Sequence, residues 1–343
     1  MTRHYCTYFD HRYLPRGVAM FESLRAVAPS SELWVLCLSE ECHATLQALA
    51  LPGLHCIPLS ELEAADPELL RAKSNRSKIE YFFTCSPCLP RYLLRSNPGI
   101  ELITYLDSDL YFFSSPEAIF AEIGDRSVAI IEHRFVPRNK WMLKNGRFNV
   151  GWLSFRNNPQ GGECLDWWRT SCIDWCYDRV EPTRFADQKY LDQFPNLFPE
   201  VAIISHPGAN SAAWNIERNP IHSTKEGLKA GSGALIFFHF QGVRRLSRWV
   251  VDPNVQWFGI RLSVVMEMCL YRPYLAHIER VRTRVGTTHS VQSDLVALAR
   301  AHDLENQARA VEGTRQHVID WIANVYRQSR GVLARRFMLH RGR

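Results

Sequence analysis

The stretch "LDSDLYFF", residues 106–113, places Asp107 and Asp109 one residue apart at the end of an apolar run. Side chains on a strand alternate between faces, so residues i and i+2 point the same way. Two carboxylates aimed at one spot repel each other and lose hydration unless a positive charge stands between them. The flanks "LITYL" and "LYFF" argue against a solvated charge run and leave a buried structural pair as the rival reading. A hard divalent cation, Mn²⁺ or Mg²⁺, meets the electrostatic need. Such an ion takes one or two carboxylates and fills its shell with water and phosphate oxygens. The chemistry this suggests is that of a substrate carrying a diphosphate.

Other residues invite the same question. His239, in "FFHFQGVRR", closes an apolar run. It is either a core histidine satisfied by a backbone carbonyl or a third metal ligand, which would favour Mn²⁺ over Mg²⁺. Gly242 would let the backbone approach a phosphate, with Arg244 or Arg245 adding charge. Asp187 and Gln188, in "FADQKYLDQF", stand at an expected helix start, where polar side chains either cap the helix or face a pocket. Asn149 and Gly151 interrupt the strand-like "RFNVGWLSF", as a bulge beside a ligand or as a hairpin corner.

The elements that must position these residues alternate. Strand-like "HYCTYFD", "ELWVLCLS" and "LHCIPL" are separated by helix-like "GVAMFESLRAVA" and "EECHATLQALA". A longer helix is expected over about 77–95, before "ELITYLDSDLYFF". This alternation predicts an α/β layer with a largely parallel central sheet. In such sheets the ligand crevice lies beyond the carboxyl ends of the strands. Asp10 and the Asp107/Asp109 pair both occupy such ends. Beyond residue 115 come a helix at "SPEAIFAEI", strands at "SVAIIEHRF", "FNVGWLSFR" and "VAIISHP", and a polar, exposed stretch "IERNPIHSTKEGLKAGSG". The buried strand "ALIFFHFQG" closes this part, and from about 255 onward the pattern is helical. The expected division is a catalytic domain over 1–254 and a helical C-terminal extension over 255–343.

Composition narrows the function classes. With 343 residues, 46% hydrophobic and 22% charged, the chain has the make-up of a water-soluble globular protein. It enters its first strand with no apolar segment of signal-peptide type, and no run reaches the roughly 18 apolar residues of a spanning helix. A cytoplasmic location is therefore expected. The ten cysteines are irregularly spaced, so reduced thiols are expected. Cys85 and Cys88 form a CxxC, but it sits in an apolar helical stretch without a second ligand pair. Of the formal net charge of +6, six arginines lie in the last seventeen residues, "RQSRGVLARRFMLHRGR". The remainder is near neutral, which speaks against nucleic acid as a partner. The tail reads either as a solvated terminus or as a basic helix in peripheral contact with the inner face of a membrane.

"LDSDLYFF", "FNVGWLSF", "FADQKYLDQF" and "FFHFQGVRR", in this order, resemble the motifs of GT-A glycosyltransferases, a Rossmann-like mixed sheet, mostly parallel and flanked by helices. They look most like the retaining, metal-dependent family 8, with its D-x-D, N-x-G, D-Q and H-x-x-G-x-x-K motifs. The resemblance spans about residues 4–250 and implies a UDP-sugar donor and a glycan or lipid-linked acceptor. It also implies Mn²⁺ held by Asp107, Asp109 and His239, diphosphate contacts near Gly242, and Asp187 or Gln188 beneath the anomeric carbon. Asp10 resembles the family's nucleotide-contacting acid, and Lys78 stands where a basic residue meets the donor. Arg245 replaces the family's Lys, keeping the charge but changing its geometry. The Pro-Trp that follows that Lys in the family is missing. Two other classes remain as alternatives: a metal-dependent nucleotidyltransferase or pyrophosphohydrolase, and a non-catalytic carbohydrate-binding protein.

Overall fold

The computed structural model describes residues 2–246, 250–286 and 338–339. The expected tail over 327–343 lies outside them, except for Met338–Leu339. The chain divides into two units, Met1–His239 with His277–Val285, and Phe240–Ala276 with Gly286–Arg343.

The first unit is a mixed α/β layer. Its strands are β1 (Arg3–Phe9), β2 (Ser31–Cys37), β3 (Leu54–Pro58), β4 (Leu102–Leu106), β5 (Leu110–Phe112), β6 (Val128–Glu132), β7 (Phe148–Arg156) and β8 (Val201–Ile204). Seven of them form one sheet in the order β3-β2-β1-β4-β7-β6-β8, with β5 outside it. The pairs β3–β2, β2–β1, β1–β4 and β6–β8 are parallel, whereas β7 runs antiparallel to both β4 and β6. "LITYL" and "VAIIE" are near-continuous apolar runs because helices cover both faces of the sheet. Helices α1 (Leu14–Val27), α2 (Glu40–Leu49), α3 (Leu59–Ala65), α4 (Pro67–Ala72), α5 (Lys78–Ser96), α6 (Glu117–Ile123) and α7 (Pro159–Asp174) flank it.

Strand alternation splits the core in two. On one face Trp152 meets Tyr5 and Phe120 at 6.2 and 5.6 Å between ring centres and stacks on Phe237. On the other, Cys6, Tyr105 and Phe155 join a cluster with Leu89 of α5 and Trp168 of α7. Helix α5 starts from a capping box in which Ser77 and Glu80 satisfy each other's backbone N–H groups, which fixes Lys78 at the first helical position.

A second small sheet carries part of the chemistry. Strand β5 pairs antiparallel with β13 (Phe237–His239), which runs parallel to β9 (Ser211–Ala212). The polar stretch expected to be exposed folds as a three-stranded meander, β10 (Ile221–Thr224), β11 (Gly227–Ala230) and β12 (Gly233–Ala234), most of whose residues are at least partly exposed. Its first turn, Lys225–Glu226, leads into Gly227, whose φ of +123° suits glycine. From the C-terminal side, His277 joins this unit through Tyr111 and Glu22, at 3.1 and 2.7 Å.

In the second unit, β14 (Arg244–Arg245) and β15 (Val250–Asp252) pair antiparallel, and β15 pairs with β16 (Met338–Leu339). Phe240 stacks on Tyr274 at 3.9 Å. The described residues after 255 are largely helical, including a π-helical turn over Met266–Tyr271. The helix Arg272–Val285 begins in this unit and ends in the first. Among the described residues, no helix is long and apolar enough to cross a membrane.

Candidate functional site

Adjacent parallel strands β1 and β4 end at Phe9 and Leu106, so the next residues, Asp10 and Asp107, emerge at the same edge of the sheet. The two acids of the D-x-D do not lie on one strand face, as expected from period two. Both sit in the turn between β4 and β5, where the Leu110 N–H donates to the Asp107 carbonyl at 3.4 Å. The turn, not strand alternation, brings them together. His239 arrives on β13, whose antiparallel register sets it opposite Leu110.

The three side chains converge. Asp107, Asp109 and His239 offer carboxylate oxygens and an imidazole nitrogen within 4.8 Å of one another. His239 Nε2 lies 3.0 Å from Asp109 Oδ1 and 3.7 Å from Asp107 Oδ2. The imidazole is 4% exposed and the two carboxylates 28% and 15%, so the group is walled on the histidine side and open on the acid side. The expected alternative of a core histidine satisfied by a carbonyl is not found: Nε2 faces acids, and Nδ1 has no hydrogen-bond partner. Burial, with Asp109 adding to it and His239 opposing, pushes the Asp107 carboxyl up to about 6. At Asp109 burial is outweighed by His239 and Arg16, and the carboxyl falls below its ordinary value. At His239 burial is outweighed by the two acids, and the imidazole is raised. Two acids and an imidazole with a solvent-facing side are a donor set that fits a divalent cation.

Around this group stand residues without a local sequence signal. Tyr105, two positions before Asp107, donates its hydroxyl to Asp107 Oδ1 at 3.2 Å. The Tyr13 phenol lies within electrostatic reach of Asp109, Asp10 and Asp107, and beneath Arg16. Asp10 is buried; its Oδ1 accepts from the Arg12 N–H at 3.0 Å, and its Oδ2 lies 3.3 Å from Lys78 Nζ. Asp10 and Lys78, expected separately as donor contacts, form an ion pair.

Asn149 and Gly151 lie within the continuous strand β7, not at a hairpin corner. The register with β6 breaks here, since Ala129 faces Ser154 while Ile131 faces Asn149. This is the bulge reading, and its cause is visible. His133 Nδ1 donates to the Arg147 carbonyl at 3.2 Å, which leaves Nε2 to accept from Asn149 Nδ2, also at 3.2 Å. Asn149 Oδ1 then accepts the Gly151 N–H at 3.1 Å. Burial drives His133 down to about 3, so this relay runs through a neutral imidazole. A Cβ at position 151 would fall 2.5 Å from Asn149 Oδ1 and 3.1 Å from His239 Nδ1, so glycine here is what lets both side chains approach.

Asp187 and Gln188 sit in a turn ahead of a 3₁₀ helix, Lys189–Gln193, and Gln188 makes no capping bond. Asp187 is buried. Burial, with Asp107 adding and a bond to Ser86 opposing, pushes its carboxyl up to about 7. Gln188 Nε2 donates to the Asn145 carbonyl at 3.0 Å. Gly242, Arg244 and Arg245 belong to the second unit. There Gly242, with φ of +72°, makes room for Asn254, and Arg244 pairs with Asp252 at 2.9 Å. Arg245 lies half-buried on β14, opposite Val251.

No family model matches the chain. It is 37% identical over 288 residues to the uncharacterized protein YfnF of Bacillus subtilis (strain 168), covering 81% of this chain and 93% of that protein. It is 31% identical over 283 residues to YfnD of the same organism, covering 81% and 89%. Similar solved structures include the galactosyltransferase LgtC with donor and acceptor sugar analogues (TM-score 0.49, 16% identity, 77% of this chain and 99% of that one). Mouse xyloside xylosyltransferase 1 is another (TM-score 0.47, 14% identity, 71% and 98%).

Proposed function

We propose that this chain, which belongs to the family of the Bacillus subtilis proteins YfnF and YfnD, is a GT-A-type glycosyltransferase that moves a sugar from a nucleoside diphosphate donor to a glycan or lipid-linked acceptor. The donor is a UDP-sugar, the cation Mn²⁺, and the anomeric configuration is retained. The observation that supports this reading best is the meeting of Asp107, Asp109 and His239 beside Asp10, beyond the carboxyl ends of β1 and β4.

A divalent cation held by these three side chains would supply positive charge to the departing diphosphate. The remaining work falls to the chain. Asp10 and Lys78 bind the nucleoside end, with Tyr13 between them and the acidic pair. The Asn149 carboxamide, held in one orientation by His133, positions the donor. In the transfer, the bond from the anomeric carbon to the diphosphate oxygen breaks and its electron pair leaves with the diphosphate. The acceptor oxygen bonds to that carbon and gives its proton to the departing phosphate. Asp187 and Gln188 steady the positive charge that builds at the anomeric carbon. With Asp187 pushed up to about 7, that service grows as pH rises through neutrality.

A panel of UDP- and GDP-sugars with Mn²⁺ or Mg²⁺ tests this, with nucleotide release and thermal shift read together. Nucleoside diphosphate is the expected product; a monophosphate would indicate a pyrophosphohydrolase instead, and no release at all a binding protein. Asp109→Asn should fold, lose the Mn²⁺-induced thermal shift and turn over at least about 100-fold more slowly. Equal turnover at saturating Mn²⁺ would remove the metal from the account.

A further inference from the structure

Between β6 and β7 the chain leaves the sheet through a 3₁₀ segment, Pro137–Asn145, "PRNKWMLKN". Its inner side is anchored. Asn139 is buried and donates to the Trp214 carbonyl at 3.3 Å, and Gln188 holds the Asn145 carbonyl. Its outer side is both apolar and basic: Trp141 is 48% exposed and Leu143 42%, with Arg138, Lys140 and Lys144 exposed around them. No acidic residue occurs from 133 to 147. A second loop, "YDRVEPTR", brings Val180, 41% exposed, and Arg179. Lys189 ties the two together, donating its ammonium to the Lys144 carbonyl at 2.6 Å and to the Glu181 carbonyl at 3.1 Å.

Most acids nearby are already engaged; Asp178, on the second loop, is the exception, its carboxyl raised by burial and by Glu80. Glu181 pairs with Arg179 and Arg184, Glu217 with Arg138, and Glu132 with Arg147. Asp192 accepts backbone N–H groups of Arg147 and Phe148. Lys140 and Lys144 outnumber Asp178 and set the sign of the surface. A tryptophan and aliphatic tips ringed by lysine suit the headgroup level of a bilayer, where the rings sit at the interface and the ammonium groups meet anionic lipid. A platform for a soluble polyanion would use the lysines but gives no role to Leu143 and Val180. We propose that Trp141, Leu143 and Val180, with Lys140, Lys144 and Arg179, form a docking surface for an anionic lipid bilayer. Trp214 carries this segment on its carbonyl and meets the His239 ring edge-on at 5.1 Å, so docking there holds the candidate site at the membrane. The surface stands independently of the transfer chemistry.

The test is co-sedimentation of the full-length chain with vesicles of phosphatidylglycerol and phosphatidylcholine in equal parts, against pure phosphatidylcholine. The chain should bind the mixed vesicles and not the neutral ones, and lose binding as salt is raised. W141A/L143A and K140E/K144E should each weaken binding about tenfold or more with an unchanged circular dichroism spectrum. Trp257→Ala, an equally exposed tryptophan in the second unit, should bind as the parent chain does. The proposal is overturned if the parent chain does not bind the mixed vesicles, or if Trp257→Ala weakens binding as much. It is also overturned if W141A/L143A binds as the parent does; with K140E/K144E weakened, that would mark a polyanion site, and with both variants unaffected it would place any binding elsewhere, the basic tail included.

Discussion

Asp187 is a buried acid lifted from an ordinary 3.8 to about 7 by burial first and by Asp107 second. An acid with a raised native value keeps its proton after the unfolded chain has released one. It therefore contributes stability at low pH that is lost as pH climbs from about 4 to about 7. Asp187→Asn cannot ionise, so its urea midpoint, measured in chelator, should fall less over that window than the parent's; parallel curves would show that the group titrates normally. Turnover should move the other way, falling in the variant. At this scale the sequence was legible where chemistry is concentrated: Asp107, Asp109 and His239 stood out through carboxylates or imidazole closing apolar runs. Tyr105, Arg16 and His133 did not. Each acts through a contact with a residue that no local pattern links to it, as His133 does with Asn149, sixteen positions away.

Among the elements, the alternation of strand and helix up to β4 was readable because parallel strands buried on both faces are continuous apolar runs. The antiparallel placement of β7 was not, since it is buried along nearly its whole length as the parallel strands are, and direction leaves no mark on composition. The acidic pair converges as expected but by another geometry: the carboxylates meet through a turn and not through period two. Register then does the rest, because pairing Leu110 with His239 places the imidazole over that turn. The end of β6 is locked to the start of β7 by the His133 relay. His133→Ala should leave Asn149 free to rotate and lower turnover about tenfold, the scale seen when a group that orients a site residue is removed. The Mn²⁺-induced thermal shift should persist, since the metal ligands are untouched. Loss of that shift would mean that His133 supports the cation group itself.

Across the whole molecule, charge is unevenly spread: the net +6 resides in the final arginines, and the rest of the sequence is close to neutral. That asymmetry was plain from the sequence, whereas the face at Trp141 was not, because Val180 and Arg179 reach it from a loop distant in the chain, joined through Lys189. The expectation of reduced thiols also holds, for all ten cysteines are free. Besides Cys6 on β1, five of them, Cys85, Cys88, Cys164, Cys172 and Cys176, lie buried in the core cluster that joins α5 and α7 to the sheet. Burial raises Cys85, Cys88, Cys164 and Cys172 above the ordinary thiol range, so while the layer is closed they are neither accessible nor nucleophilic. Alkylation by iodoacetamide must then wait for that layer to part. The half-buried Cys269 should label first and these five later and together, each read by peptide mass; five rates as fast as that of Cys269 would contradict this. The protein thus carries its own clock for breathing between α5, α7 and the sheet, with no probe to be engineered in.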